Sequence, residues 1–225
     1  MNILDILFPK SCLRCHKSGK YLCDSCVKNT PFAETICPHC NHFSFYGKTH
    51  DQCKREHTLD GVISVWKYTG VVRLGITALK YKYAQAIARD LAESAIFEVI
   101  KYKIPKSSIF ISVPLFKTKD NWRGFNQSEL LAKELAIALG YSHLPYVLVR
   151  SVDTKPQVSL TKRERVRNMR GKFAVNTAVF DIIDKKRPII IVDDVWTTGA
   201  TLKECCKVLK QAGVREVYGL VLAQA

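Results

Sequence analysis

A chain of 225 residues, of which 47% are apolar, can form one or two domains with substantial hydrophobic cores. It contains no run of 18 apolar residues, and its first eight residues are too short for a signal peptide and lack a basic start. We therefore expect a cytoplasmic protein with no transmembrane segment. Its formal net charge of +15 favours polyanionic partners.

Cysteines are concentrated at the start of the chain, where seven of the nine precede residue 54. A reducing compartment does not sustain disulfide bonds, so this distribution favours metal ligation. Three Cys-x-x-Cys pairs are present; each can offer two thiolates to one zinc ion, and two pairs complete a tetrahedral site. At least one zinc ion is therefore predicted. The candidate ligands are Cys12, Cys15, Cys23, Cys26, Cys37, Cys40 and Cys53.

The grouping of these cysteines stays open at the level of sequence. The first pair can join the second pair in one site, and a cross-braced site made of the first and third pairs fits the spacing equally well. A site containing the third pair and Cys53 needs a fourth ligand, for which the candidates are His39, His42, His50 and His57. We expect residues 1–57 to form a Cys-rich zinc-binding module and residues 58–225 to form a second domain.

The second domain begins with a strand pattern over residues 62–68, and apolar residues at helical spacing over 71–100 predict one or two helices. Lys80 and Lys82 alternate with tyrosines between these helices, which is typical either of a nucleic-acid contact or of a solvated helix edge. Residues 109–113 predict a buried strand, and residues 128–139 predict a helix. Residues 146–149 are a further strand candidate.

The strand over residues 109–113 ends at Val113 and Pro114, and ligands of open α/β sheets bind at such carboxyl ends. Arg123 follows on a polar loop, where a guanidinium can reach an anionic ligand.

Positive charge is concentrated between residues 101 and 173, where 15 Lys or Arg face 5 Asp or Glu, a net of +10. Six of these cations lie within the eleven residues 162–172, which a solvated helix face explains poorly. We expect this segment to bind a polyanion through release of its counterions. The candidate contacts are Lys162, Arg163, Arg165, Arg167, Arg170 and Lys172, together with Lys80 and Lys82.

The most informative stretch lies near the C-terminus. Four β-branched residues, 189–192, predict a strand buried on both faces, and Asp193 and Asp194 stand where we expect that strand to end. The turn that follows opens a helix over residues 202–211, and helix N-termini attract phosphate. Adjacent carboxylates can accept hydrogen bonds from two sugar hydroxyls, directly or through a divalent cation. The turn consists of Thr197, Thr198, Gly199, Ala200 and Thr201.

This order of strand, two acids, turn and helix resembles the phosphoribosyl pyrophosphate (PRPP) motif of type I phosphoribosyltransferases. The resemblance implies that Asp193 and Asp194 hold the ribose hydroxyls of Mg-PRPP, or of a related ribose phosphate, and that the turn holds its 5′-phosphate. A Walker B strand of an ATPase also ends in acids, but the only Gly-Lys-Thr, at residues 47–49, has His42 where a P-loop needs glycine. The implied fold class is α/β, a type I phosphoribosyltransferase-like parallel sheet flanked by helices and preceded by the zinc-binding module.

Motifs along nearly the whole chain are similar to those of the ComF/ComFC competence family. After the Cys-rich module come Val113-Pro114, Arg123-Gly-Phe-Asn-Gln127, Gln157 with Leu160, Arg165 with Asn168, Gly171-x-Phe173 and the PRPP motif. The resemblance implies a zinc-finger protein that handles incoming single-stranded DNA in natural transformation. It also implies DNA-uptake partners such as a helicase and a peripheral position at the inner membrane. One departure is Glu56, which stands three positions after Cys53 where relatives carry a fourth Cys-x-x-Cys.

Three functions follow from these motifs. The first is DNA handling in competence, with the Val113 to Phe116 loop facing pyrophosphate and Arg123 closing over it. The second is a phosphoribosyltransferase of nucleobase salvage. The third is a zinc-containing regulator that senses PRPP. Cys205 and Cys206 are expected to be packing residues, because no third metal ligand lies near them in sequence.

Overall fold

The computed structural model describes residues 10–81, 84–115, 125–150 and 169–225. Within these ranges the chain forms seven strands and six α-helices. The strands are β1 (Gly61–Lys67), β2 (Ile109–Ser112), β3 (Ser142–His143), β4 (Leu148–Arg150), β5 (Phe173–Val175), β6 (Ile189–Trp196) and β7 (Val217–Gln224). The helices are α1 (Asp24–Lys28), α2 (Gly70–Ala78), α3 (Ala84–Val99), α4 (Gln127–Leu139), α5 (Thr177–Phe180) and α6 (Ala200–Gln211).

Five strands form one parallel sheet in the order β1-β7-β6-β2-β3, and β4 pairs with β5 in a separate antiparallel ribbon. The expected strands at 62–68, 109–113 and 189–192 are present, and the region 71–100 contains two helices. The sheet confirms the α/β prediction. Among the described residues, no helix has both the length and the apolar character needed to cross a membrane.

Strand β6 shows why the sheet has a core on each face. Successive side chains of a strand point in opposite directions, so Ile190 and Val192 pack on one face and Ile189 and Ile191 on the other. Helices α2, α3 and α4 cover the first face, and α6 covers the second through Leu202, Cys205, Cys206 and Leu209. This double covering explains the unbroken apolar run in the sequence.

The Cys-rich segment packs directly against the sheet and its helices. Leu22 is fully buried in the first core, and the backbone N–H groups of Tyr21 and Leu22 donate to the buried Asp90 carboxylate on α3 at 2.7 and 3.3 Å. A β-bridge joins Lys48 to Gly61. The division at residues 57 and 58 remains a prediction.

Candidate functional site

A cleft of about 320 Å³ lies at the carboxyl edge of the sheet. Strand β2 pairs with β6 only as far as Val192, whereas β7 accompanies β6 to Trp196. The expectation that the strand ends at the two acids is therefore wrong, because pairing with β7 carries it further, to Trp196. Beyond the end of β2, Asp193 and Asp194 are left to line the open cleft.

The carboxyl-edge cleft brings together the candidate ligand residues that the structure describes. Asp193, Asp194, Val113 and Pro114 line it along with every residue of the turn Thr197–Thr201. Lys80, which we considered for nucleic-acid contact, also lies on its wall. Sequence reasoning did not assign Gln127, Ser128 or Arg150, which also line it. Arg123 lies outside the described residues.

The Asp193 carboxylate is held at the base of the cleft by two donors. The Ser128 hydroxyl donates to it at 2.9 Å and the Asp194 backbone N–H at 3.0 Å. Burial, and then the neighbouring charge of Asp194, nevertheless raise the pKa of Asp193 to about 7. Two adjacent carboxylates in this setting are the oxygen donors that magnesium prefers, and a cation between them relieves their repulsion.

Asn126 positions Ser128. Its side-chain oxygen accepts the Ser128 backbone N–H at 3.0 Å and caps α4, while its amide nitrogen donates to the Val113 carbonyl at 2.9 Å. One side chain therefore ties the end of β2 to the start of α4. This contact gives a structural reason for an asparagine in the Arg-Gly-Phe-Asn-Gln string.

The turn Thr197–Thr201 requires glycine at its centre. Gly199 has φ of 69°, and a Cβ atom there would lie 2.2 Å from the Trp196 ring. Gly199 is also the N-cap of α6, whose first-turn N–H groups have no partners within the helix. The Lys203 ammonium lies 5.4 Å from the Trp196 ring centroid and donates to the Thr198 carbonyl at 3.4 Å. The helix start thus offers backbone donors and a nearby cation to an anion.

Two clusters of metal-ligand side chains lie in the Cys-rich segment. The first cluster consists of Cys12, Cys15, Cys23 and Cys26, and the second cluster of Cys37, Cys40, His50 and Cys53. Within each cluster the ligand atoms all lie within 4.8 Å of one another. The structure thus favours the sequential grouping over the cross-braced one, and among four candidate histidines it places His50 beside the three thiols.

The chemistry of both clusters fits zinc. The His50 Nδ1 atom lies 3.5 Å from the Cys40 sulfur, and its Nε2 atom lies 3.0 Å from the Phe43 carbonyl oxygen, an arrangement that orients a ligating imidazole. Burial opposes ionisation of Cys12 and Cys37, but backbone N–H groups donate to their sulfurs and lower their pKa values to about 6 and about 7. Each cluster supplies four ligands, which leaves no open position for catalysis.

The basic segment is only partly described. Arg170 is exposed, and the neighbouring Gly171 N–H donates to the Glu204 carboxylate on α6 at 2.8 Å. Lys172 is half-buried. Lys82, Lys162, Arg163, Arg165 and Arg167 lie outside the described residues. Cys205 and Cys206 are fully buried on α6, which agrees with their expected packing role.

Comparisons with known proteins match both parts of the chain. Residues 3–55 match the double zinc ribbon domain and residues 126–224 the phosphoribosyl transferase domain. The chain is 28% identical to competence protein F of Haemophilus influenzae, over 97% of this chain and 98% of that protein. It is 30% identical to DNA utilization protein YhgH of Salmonella typhi, over 87% of each chain, and 26% identical to competence protein ComFC of Bacillus subtilis, over 88% of this chain and 81% of that protein.

Proposed function

Because the chain belongs to the family of competence protein F, ComFC and DNA utilization protein YhgH, we propose that it handles single-stranded DNA during natural transformation and binds PRPP, or a related ribose phosphate, with magnesium. In this proposal the protein acts in the cytoplasm, next to the inner membrane, with uptake partners such as a helicase. Its zinc ions have a structural role.

The observation that carries the ligand part is the convergence of two kinds of polar group on one cleft. Asp193 and Asp194 line it together with the glycine-centred turn Thr197–Thr201. A ribose phosphate presents vicinal hydroxyls and a phosphate on one small ring, which matches acceptors beside an anion-binding helix start. Neither the two carboxylates nor the helix start alone would select a ribose phosphate, but the two together would.

Each residue has a definite task in this proposal. The carboxylates of Asp193 and Asp194 would accept the ribose hydroxyls or hold magnesium, which supplies charge neutralisation for pyrophosphate when bound. The N–H groups at the start of α6 would bind the 5′-phosphate. We assign Val113 and Pro114, which follow β2, to the pyrophosphate side of the cleft, and closure over that group to Arg123.

Isothermal titration calorimetry with PRPP tests the ligand part. We expect binding that requires magnesium and that is lost when Asp193 and Asp194 are both changed to alanine. Asp181→Ala, which removes an exposed acid that does not line the cleft, is the matched control and should bind as wild type does. Equal affinity of the double variant and the control would contradict the assignment of the cleft.

Fluorescence anisotropy of a labelled single-stranded oligonucleotide tests the DNA part. We expect binding that weakens steeply as salt rises, because counterions are released from the phosphates. Simultaneous change of Arg163, Arg165 and Arg167 to alanine should weaken binding further, because it removes three cations that the proposal assigns to the phosphates. Absence of binding by the wild-type protein at low salt would contradict the DNA-handling function.

Phosphoribosyl transfer is the second candidate, and the match of residues 126–224 to the phosphoribosyl transferase domain favours it. Such a transfer needs mainly electrostatic stabilisation of the leaving pyrophosphate, which the carboxyl-edge cleft can provide. We expect pyrophosphate release from PRPP with one member of a panel of nucleobases if the chain is an enzyme of this class. If the protein binds PRPP but releases no pyrophosphate with any base of the panel, ligand sensing would remain as its role.

A further inference from the structure

Two neighbouring cavities lie near the amino edge of the sheet, at the end opposite the carboxyl-edge cleft. They measure about 240 and 300 Å³, and they share Lys103 and Ile104 in their walls. The larger cavity is bounded by the ends of α3 and α4, and the smaller one by the first residues of β1, β6 and β7 and by the second cluster's loop. Among the residues that the structure describes, none that lines the carboxyl-edge cleft also lines either cavity.

Tyrosine rings form part of both walls. Tyr46 and Tyr218 line the smaller cavity together with Tyr102, and the rings of Tyr46 and Tyr102 lie edge to face with centroids 6.4 Å apart. Tyr141 lines the larger cavity, and its hydroxyl donates to the Ile104 carbonyl at 2.7 Å. Burial, and then the charge of Glu98, raise the pKa of Tyr102 to about 12, still further above neutral pH, where a phenol is uncharged in any case. The cavities are therefore mostly apolar, with neutral aromatic faces.

Lysines stand at the mouths of these cavities. Lys48, Lys103 and Lys106 are exposed and line one or both of them. Lys106 lies 4.8 Å from the Tyr141 ring centroid, and no ion pair of Lys48 or Lys103 occurs among the residues that the structure describes. Two acids lie near the smaller cavity: Glu98, which Lys101 holds in an ion pair, and Glu216, which accepts the Tyr218 hydroxyl at 3.2 Å.

Two of the five described non-glycine residues with positive φ line the smaller cavity. Tyr46 and Lys103 both have left-handed backbone conformations, with φ of 54° and 49°, which side chains larger than glycine rarely adopt. Strained backbone of this kind is concentrated at ligand sites. Here it occurs at one ring and one cation that line a single cavity.

We propose that these two amino-edge cavities receive successive unpaired nucleobases of a single-stranded nucleic acid. Tyr46 and Tyr102 supply aromatic faces for the base in the smaller cavity. The Tyr141 ring, which packs 5.1 Å from the Phe110 ring and lies under the Lys106 ammonium, forms a wall of the larger cavity. Lys48, Lys103 and Lys106 neutralise the adjoining phosphates. Apolar walls suit a base, whereas the charged phosphates remain at the lysine mouths. A paired base cannot enter, so a duplex is excluded. This inference rests on the proposed single-strand binding and assigns to it a site distinct from the segment 162–172.

The test uses the full chain and a labelled oligothymidylate of about 20 nucleotides, a length that exceeds the usual site size. Loss of one stacking ring is expected to weaken binding roughly 5- to 100-fold. We expect this for Tyr102→Ala and Tyr46→Ala, whereas Tyr146→Ala, which removes an exposed ring outside both cavities, should leave binding unchanged. Tyr102→Phe should bind as wild type does, and Tyr102→Leu, which preserves apolar volume without an aromatic face, should not.

The lysines have their own measurement and control. Changing Lys48 and Lys103 together to alanine should reduce the slope of log K against log salt by about 1.4, or about 0.7 for each phosphate that is no longer neutralised. Lys133→Ala removes an exposed lysine of α4 that lines neither cavity and should leave the slope unchanged. After irradiation, an oligonucleotide that contains iodouridine should become crosslinked to peptides that contain Tyr46 or Tyr102.

The outcomes separate this inference from the function on which it rests. If the wild-type protein binds no single strand, the proposed function is wrong. If it binds and the tyrosine variants bind equally well, only the amino-edge site is wrong and the basic segment carries the strand. If thymidine monophosphate competes as strongly as the oligonucleotide, the cavities take a free nucleotide and the strand assignment is overturned. Unchanged melting temperatures and zinc content of the variants verify that folding is intact.

Discussion

The two metal-ligand clusters contain similar side chains but stand in different surroundings. In the first cluster Cys12, Cys23 and Cys26 belong to the same hydrophobic core as the central sheet and α3. The second cluster lies beside α6, the helix whose first turn borders the carboxyl-edge cleft. Lys203 of α6 lines a small cavity together with Pro38 and His39 of the second cluster's loop. Two clusters of similar ligands can therefore have different roles. The first stabilises the hydrophobic core in which it lies, and the second stabilises the region beside the carboxyl-edge cleft.

The largest expected effect is the loss of the first cluster. Cys12→Ser should remove one zinc ion and lower the melting temperature by about 10 °C, because metal loss opens a buried part of the main core. Differential scanning calorimetry and metal analysis measure the two effects. A drop no larger than that of a second-cluster variant would remove the distinction between the clusters.

Loss of the second cluster should act mainly on ligand binding. Cys53→Ser should remove one zinc ion, lower the melting temperature by only a few degrees, and weaken PRPP binding about 2- to 30-fold. The physical link is Lys203, which lines a cavity with Pro38 and His39 next to Cys37 and donates to the Thr198 carbonyl in the turn. Calorimetric titration measures the affinity.

Lys203→Met is the companion variant for that link. It should reproduce the weaker PRPP binding while both zinc ions remain, and adding Cys53→Ser to it should cause little further loss. If the losses of PRPP affinity in Lys203→Met and Cys53→Ser were fully additive in the double variant, the second cluster would act on the cleft independently of Lys203.

Substitution of Asp193 should raise the melting temperature, by less than the cysteine substitution in the first cluster lowers it. The folded pKa of Asp193, about 7, lies above the ordinary value of 3.8, so the folded state binds this proton more tightly than the unfolded state does. Its contribution to stability is therefore lost as pH rises through that interval, and the penalty is complete above about pH 7. Asp193→Asn should raise the melting temperature by roughly 2 to 4 °C at pH 8, without magnesium or PRPP, and leave it unchanged near pH 4.

Asp193→Asn should also bind PRPP poorly. Together the two results would show that the charge of Asp193 lowers the stability of the fold and strengthens ligand binding. Asp181→Asn is the control for both measurements, because Asp181 is exposed. A pH-independent difference between wild type and Asp193→Asn would contradict the raised pKa.

The smallest effect is expected for a conservative change of the histidine ligand, whereas its removal should repeat the zinc loss expected of Cys53→Ser. His50→Cys should retain zinc, since a fourth thiolate completes the tetrahedron, whereas His50→Ala should release the second zinc ion. His57→Ala, which removes a histidine outside the cluster, should retain both ions. Metal analysis after dialysis distinguishes the three variants, and loss of zinc from His57→Ala would shift the ligand assignment.

Local patterns determined much of this protein from sequence alone. The β-branched run 189–192 predicted a strand buried on both faces, and the resemblance of the acids, turn and helix after it to the PRPP motif implied a phosphoribosyltransferase-like fold. The cysteine pairs predicted zinc ligation in the N-terminal segment. Each strand, turn or Cys-x-x-Cys pair in these signals is short, so covalent spacing and side-chain periodicity already limit its geometry.

Tertiary structure decided what depends on residues distant in sequence. Ser128 reaches Asp193 across 65 positions, and Asp90 holds the N–H of Tyr21 across 69. No periodicity links such partners, because packing of separate elements brings them together. The same holds for the choice of His50 among four histidines and for the tyrosines of the amino-edge cavities, which come from four distant segments. The sequence thus specified the elements and their motifs, and the packing of those elements specified which side chains meet.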